Sequence, residues 1–72
     1  MNKDKVMLIA YEDFTIIGLL SFLEQYTMNN GTYPDFIDMP EKNVKRYMAL
    51  LRAPLYADEN NLTFHGIKIR KI

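Results

Sequence analysis

The stretch Tyr33-Pro34-Asp35-Phe36-Ile37-Asp38-Met39-Pro40-Glu41 decides how this chain is organised. Pro34 biases Thr32-Tyr33 toward extended backbone, because its ring crowds the α region of the residue before it. Pro40 has φ fixed at about −65° and lacks an N–H, so it suits the first turn of a helix and no later one. Between the two prolines there is room for one short apolar strand, Phe36-Ile37-Asp38-Met39, and the chain must turn helical directly after it.

On the C-terminal side, the spacing predicts a helix from Pro40-Glu41 to about Arg52, with Glu41 favourably placed at the positive end of the helix dipole. Val44, Tyr47, Met48 and Leu51 form its apolar stripe, whereas Lys42, Lys45, Arg46 and Arg52 occupy the other side. Pro54 stops it. The end of the chain reads as a hairpin. Leu55-Tyr56-Ala57 leads into the polar loop Asp58-Glu59-Asn60-Asn61, and Leu62-Thr63-Phe64 returns. Leu62 and Phe64 have one parity, Ile67 and Ile69 the other, so a bulge is expected at His65-Gly66, with Lys68 and Arg70 facing solvent.

On the N-terminal side, a first helix is expected from Thr15, as N-cap, to about Met28. Ile16, Leu19, Leu20, Leu23 and Tyr26 fall on one face at three- and four-residue spacing. Ile17 and Phe22 sit on the two flanks, making the apolar surface wider than one sheet covers. Asn29-Asn30-Gly31 supplies the stop, because Asn and Gly tolerate the left-handed conformation that ends helices. Residues 5–11 are continuously apolar after Lys5 and short; they read as a buried strand, with a first helical turn as the alternative.

The expected fold is therefore α+β, one domain spanning residues 1–72. Two helices pack on a small, mostly antiparallel sheet of three to four strands, in the order (β)-α-β-α-β-β. The expected core is Leu8, Ile16, Leu19, Leu20, Leu23, Tyr26, Phe36, Ile37, Val44, Tyr47, Met48, Leu51, Leu62, Phe64, Ile67 and Ile69. A chain of 72 residues buries a modest fraction of its surface, so its stability is expected to be marginal.

Composition narrows the function. There is no cysteine, so neither a disulfide nor a thiolate zinc site supports the core. Glu12-Asp13 interrupts the apolar run after Lys3 and Lys5 too early for a signal peptide, and Phe14–Leu23 is far short of a membrane span. The net charge is zero, yet it is unevenly spread. Residues 1–39 carry Lys3 and Lys5 against Asp4, Glu12, Asp13, Glu24, Asp35 and Asp38. Residues 40–72 carry Lys42, Lys45, Arg46, Arg52, Lys68, Arg70 and Lys71 against Glu41, Asp58 and Glu59. Such asymmetry suits solvated faces, an anion-binding surface or the association of unlike faces.

The order Tyr33-Pro34-Asp35-Phe36-Ile37-Asp38-Met39-Pro40, then Tyr47 and Leu50-Leu51, then Leu62-Thr63-Phe64-His65-Gly66-Ile67-Lys68-Ile69 resembles a pattern of tailed-phage proteins. It is similar to short phage or prophage proteins and to part of capsid subunits with the HK97-type fold, over roughly residues 33–70. Met39 meets Pro40 directly where such sequences place a Ser or Asn cap, and Lys68 stands where they place a proline. The resemblance implies strand, helix and returning strand in a phage setting, either in the host cytoplasm or on the virion. It implies no catalytic residue.

The residues themselves offer little chemistry. His65 is the only histidine, so a hydrolytic triad or a multi-histidine metal site lacks partners. Asp35 and Asp38 stand three apart in a strand and point to opposite faces; Asp35 reads as a turn residue and Asp38 as a cap of the second helix. Gly18, Gly31 and Gly66 are dispersed and make no phosphate loop. No enzyme, cofactor, metal or small-molecule substrate is expected. The leading expectation is a protein–protein interaction module, either a structural accessory or an inhibitor of a host protein, with Ile17 and Phe22 at the interface to another copy or a foreign partner. The alternative is a nucleic-acid-binding accessory using Lys42, Lys45, Arg46, Arg52, Lys68 and Arg70 along a phosphate backbone.

Overall fold

The computed structural model describes residues 4–52 and 58–72. In chain order the elements are β1 (Val6–Leu8), α1 (Ile16–Asn30), β2 (Phe36–Met39), α2 (Glu41–Leu50), β3 (Thr63–Phe64) and β4 (Ile67–Lys71). The α+β order β-α-β-α-β-β is the expected one, and the segment after Lys5 is a strand rather than a helical turn. The expected strand Leu55-Tyr56-Ala57 lies outside the described residues.

The sheet is mixed, not mostly antiparallel. Its order is β1-β2-β4-β3, with β1–β2 and β2–β4 parallel and only β3–β4 antiparallel. The reason is the connections: β1 reaches β2, and β2 reaches β4, through crossovers that each contain a helix, which return the chain to the same end of the sheet. Both crossovers step in the same direction across the sheet. Right-handed crossovers therefore lay α1 and α2 on one face.

Among the described residues, the other face has no helix on it, and burial alternates accordingly. Met7, Ile9, Ile37, Met39, Phe64, Ile67 and Ile69 are buried under the helices together with Phe14, Leu19, Leu23, Val44 and Tyr47. This arrangement corrects several core expectations. Leu8 has the open-face parity and is 58% exposed, while its neighbours Met7 and Ile9 point inward. Phe36 shares that open face and is half-buried. Leu20 lies on a flank of α1 and Leu51 just past the end of α2, and both are exposed. Ile16, Tyr26, Met48 and Leu62 pack around the core margin.

Local signals were followed closely in α1. Thr15 Oγ1 accepts from the Gly18 N–H at 2.9 Å, and Gly31, at φ 75°, donates its N–H to the Thr27 carbonyl. At α2, Pro40 occupies the N-cap without a side-chain hydrogen bond. Asp38 is not its cap: it remains in β2, paired with Arg70. His65-Gly66 is not a bulge but the two-residue turn itself. His65 and Gly66 have φ of 51° and 79°, the left-handed pair that a tight hairpin uses, and Phe64 stands directly opposite Ile67. Reversing the chain there removes the parity conflict between Phe64 and Ile67.

Candidate interaction surface

The surface that stands out is the solvent side of α1 and the strand edge next to it. In a 15-residue helix, Glu24 is the sole charged residue. Leu19 and Leu23 turn into the core. Ile17 and Met28, three helical turns apart, then lie along the outer crest and are 80% and 84% exposed. Phe22 is on a flank and 44% exposed. Its ring stacks at 5.2 Å on Tyr11, which packs edge-on at 6.0 Å against Phe14. Tyr11 lies three residues past β1, so the Phe22 flank is the one on the β1 side. Burial raises the Tyr11 hydroxyl above its ordinary value of 10.0. On the same helix, Glu24, Thr27 and Met28 with Tyr33 line an open groove of about 320 Å³.

The Tyr11 corner is fixed by α2. Asn43, buried in the first turn of that helix, donates its amide to the carbonyls of Ile9 and Tyr11, both at 2.8 Å. Arg46 adds Nε to the Phe14 carbonyl at 2.8 Å and lies 5.8 Å from the Phe14 ring centre. Neither role was visible in the sequence, since both partners lie about thirty residues away. Among the described residues, no buried side-chain polar atom lacks a partner.

The six basic positions do not share one surface. Lys42, Lys45 and Arg46 are on α2, whereas Lys68 and Arg70 are on β4 with the parity of the open sheet face. Arg52 follows α2 with φ 53°. Lys42 faces Glu12 at 3.7 Å and Lys45 faces Glu41 at 3.8 Å, both as exposed pairs. Arg70 grips Asp38 with Nε at 2.7 Å and a second nitrogen at 3.0 Å, and its guanidinium sits 4.0 Å above the Phe36 ring. The hydrogen bond to Asp38 is the first cause holding Arg70 above its ordinary value. Lys71 is likewise raised by its hydrogen bond to Glu59, at 2.9 Å.

Asp35 anchors the N-terminal strand: its carboxylate accepts from the Lys5 N–H at 2.9 Å, and its own N–H donates to the Lys5 carbonyl at 2.7 Å. His65 is exposed at the hairpin turn. Among the described residues, no group of three His, Cys, Asp or Glu is placed to hold a metal ion, and no helix is long and apolar enough to cross a membrane. In comparisons with known proteins, the chain matches no family model, no curated protein and no solved structure.

Proposed function

We propose that this chain is a non-enzymatic protein–protein interaction module, in the phage setting that the resemblance of residues 33–70 implies, and that it docks through the outer surface of α1. One observation supports this most directly. Ile17, Phe22 and Met28 are held out to solvent on a helix whose only charge is Glu24. Exposed apolar side chains are ordinary singly and mark an interaction site where a partner joins them into one patch, the role proposed for Ile17, Phe22 and Met28.

The test compares wild type with Ile17→Glu and Phe22→Glu. Solution mass is measured by light scattering across a concentration series, and any monomeric preparation is passed over host lysate as bait. Association by wild type that is lost in a variant of unchanged circular dichroism supports the reading. A reproducible turnover that a single substitution abolishes overturns it.

A further inference from the structure

We infer that the partner meeting the Phe22 flank of this surface is a second copy of the chain, joined antiparallel along the free edge of β1, so that two four-stranded sheets become one of eight strands. This deepens the interaction reading above and rests on it.

The edge itself is the first observation. Among the described residues, β1 is the terminal strand of the sheet and pairs on one side only. The Lys5 carbonyl accepts from Phe36 and the Ile9 N–H donates to Asp38. In a parallel ladder, alternate residues bond to the neighbour, so Lys5, Met7 and Ile9 face β2 while Val6 and Leu8 turn their N–H and C=O groups outward. No backbone hydrogen bond among the described residues engages those outer groups. Natural edges are guarded by shortness, charged side chains, proline or a bulge. β1 is three residues long, but Val6-Met7-Leu8-Ile9-Ala10 holds no charge and no proline to turn a second strand away.

A twofold axis through Met7 satisfies that edge with itself. Val6 then pairs with Leu8 of the other copy, each exchanging the two outward hydrogen bonds, and Leu8 gains an apolar neighbour on the open face. The strand carries no charge from Val6 to Tyr11, so no like charges meet across the axis. One patch serves both copies, which is what a closed dimer requires.

The helix layer fits the same junction. Two helices over four strands place α1 nearest the β1 edge. With strands about 4.8 Å apart and helices packing at about 8–10 Å, a β1–β1 junction brings the two α1 helices to roughly 9–10 Å, an ordinary packing distance. The flank that meets there is the one carrying Phe22 and Tyr11, which are 44% and 40% exposed in the single chain. Leu8 below the edge and Tyr11 and Phe22 above it are covered together.

Sedimentation equilibrium of the full chain tests this, alongside Leu8→Lys, Leu8→Pro and Ile17→Glu. Leu8→Pro deletes an outward N–H without touching the β2 ladder, and Leu8→Lys places like charges near the axis; both leave the core intact. The expected result is a wild-type dimer that either Leu8 variant weakens at least tenfold. Amide exchange gives a readout that needs no variant: Val6 and Leu8 should slow at least tenfold between dilute and concentrated protein. A monomer at every concentration overturns the β1 junction, and if that monomer captures a foreign partner through Ile17 the interaction reading still stands. A dimer broken by Ile17→Glu but not by either Leu8 variant also overturns the junction, moving the contact to the crest of α1.

Discussion

Asn43 is 1% exposed in the first turn of α2, and its amide is shared between two carbonyls of the chain leaving β1. Both hydrogens of the side-chain amide are used, so the residue ties α2 to the segment carrying Tyr11. Removing the amide strands the Ile9 carbonyl in the core and frees the Tyr11 corner. Each lost buried partner costs about 1–3 kcal/mol. Asn43→Ala should therefore lower stability by roughly 2–4 kcal/mol, a large share of the total for a domain this small. Urea unfolding followed by circular dichroism checks this, and a loss within 0.5 kcal/mol would mean that water replaces the amide at no cost. The Arg70 grip on Asp38 differs in kind: it lies on the open sheet face, and its guanidinium also roofs Phe36. It explains how a strand can carry an aspartate and a phenylalanine on an uncovered face without exposing either fully.

At the scale of elements, α2 is joined to the hairpin through Tyr47, whose hydroxyl donates to the Thr63 carbonyl at 2.7 Å and whose ring packs edge-on against Phe64. Burial raises the Tyr47 hydroxyl above its ordinary 10.0. The folded state therefore keeps its proton to higher pH than the unfolded chain does. Stability from this group is fully present below pH 10 and falls as pH rises through the folded value. Tyr47→Phe should cost about 1 kcal/mol near neutral pH. The gap between wild type and variant should narrow above pH 10, as measured by urea midpoints at several pH values; a gap independent of pH would show that the hydroxyl titrates alike in both states.

Elements like α1 and β2 were legible because their signals are local: a Thr cap, a Gly stop and two bracketing prolines. Strand direction was implied only indirectly, by the helices between consecutive strands that return the chain to the same end of the sheet; four residues of β2 by themselves do not name their partners. The turn at His65-Gly66 was missed because a longer polar loop upstream offered a more conventional reversal, and a tight turn there needs positive φ at a non-glycine residue, which is uncommon. The exposure of Ile17 and Phe22 follows from helix period. That of Leu8 depends on which sheet face the helices cover, and a continuous apolar run does not reveal that.

For the whole molecule, the pairing of β2 makes the two halves interdependent. β2 lies between β1 and β4, parallel to both, and Ile37 and Met39 have no exposed surface. The covering side chains include Phe14, Leu19 and Leu23, all from the N-terminal half. Burying each such side chain contributes about 1.5–3 kcal/mol. Together with Met7 and Ile9, these five side chains contribute roughly 7–15 kcal/mol of gross burial, comparable to the roughly 4–11 kcal/mol by which a chain of this length is stable. The ten-residue α2 is in turn too short to persist alone. Residues 33–70 are thus expected to fold as part of a larger unit and not by themselves. A peptide of residues 33–72 should show no cooperative thermal transition and poorly dispersed amide resonances. Adding a peptide of residues 4–32 should restore dispersion if β1 and α1 dock as they do in the intact chain. Cooperative unfolding of the 33–72 peptide alone would mean that β2, α2 and the hairpin close a core without the α1 layer. The apolar residues of α1 would then be available in full for binding rather than divided between core and surface.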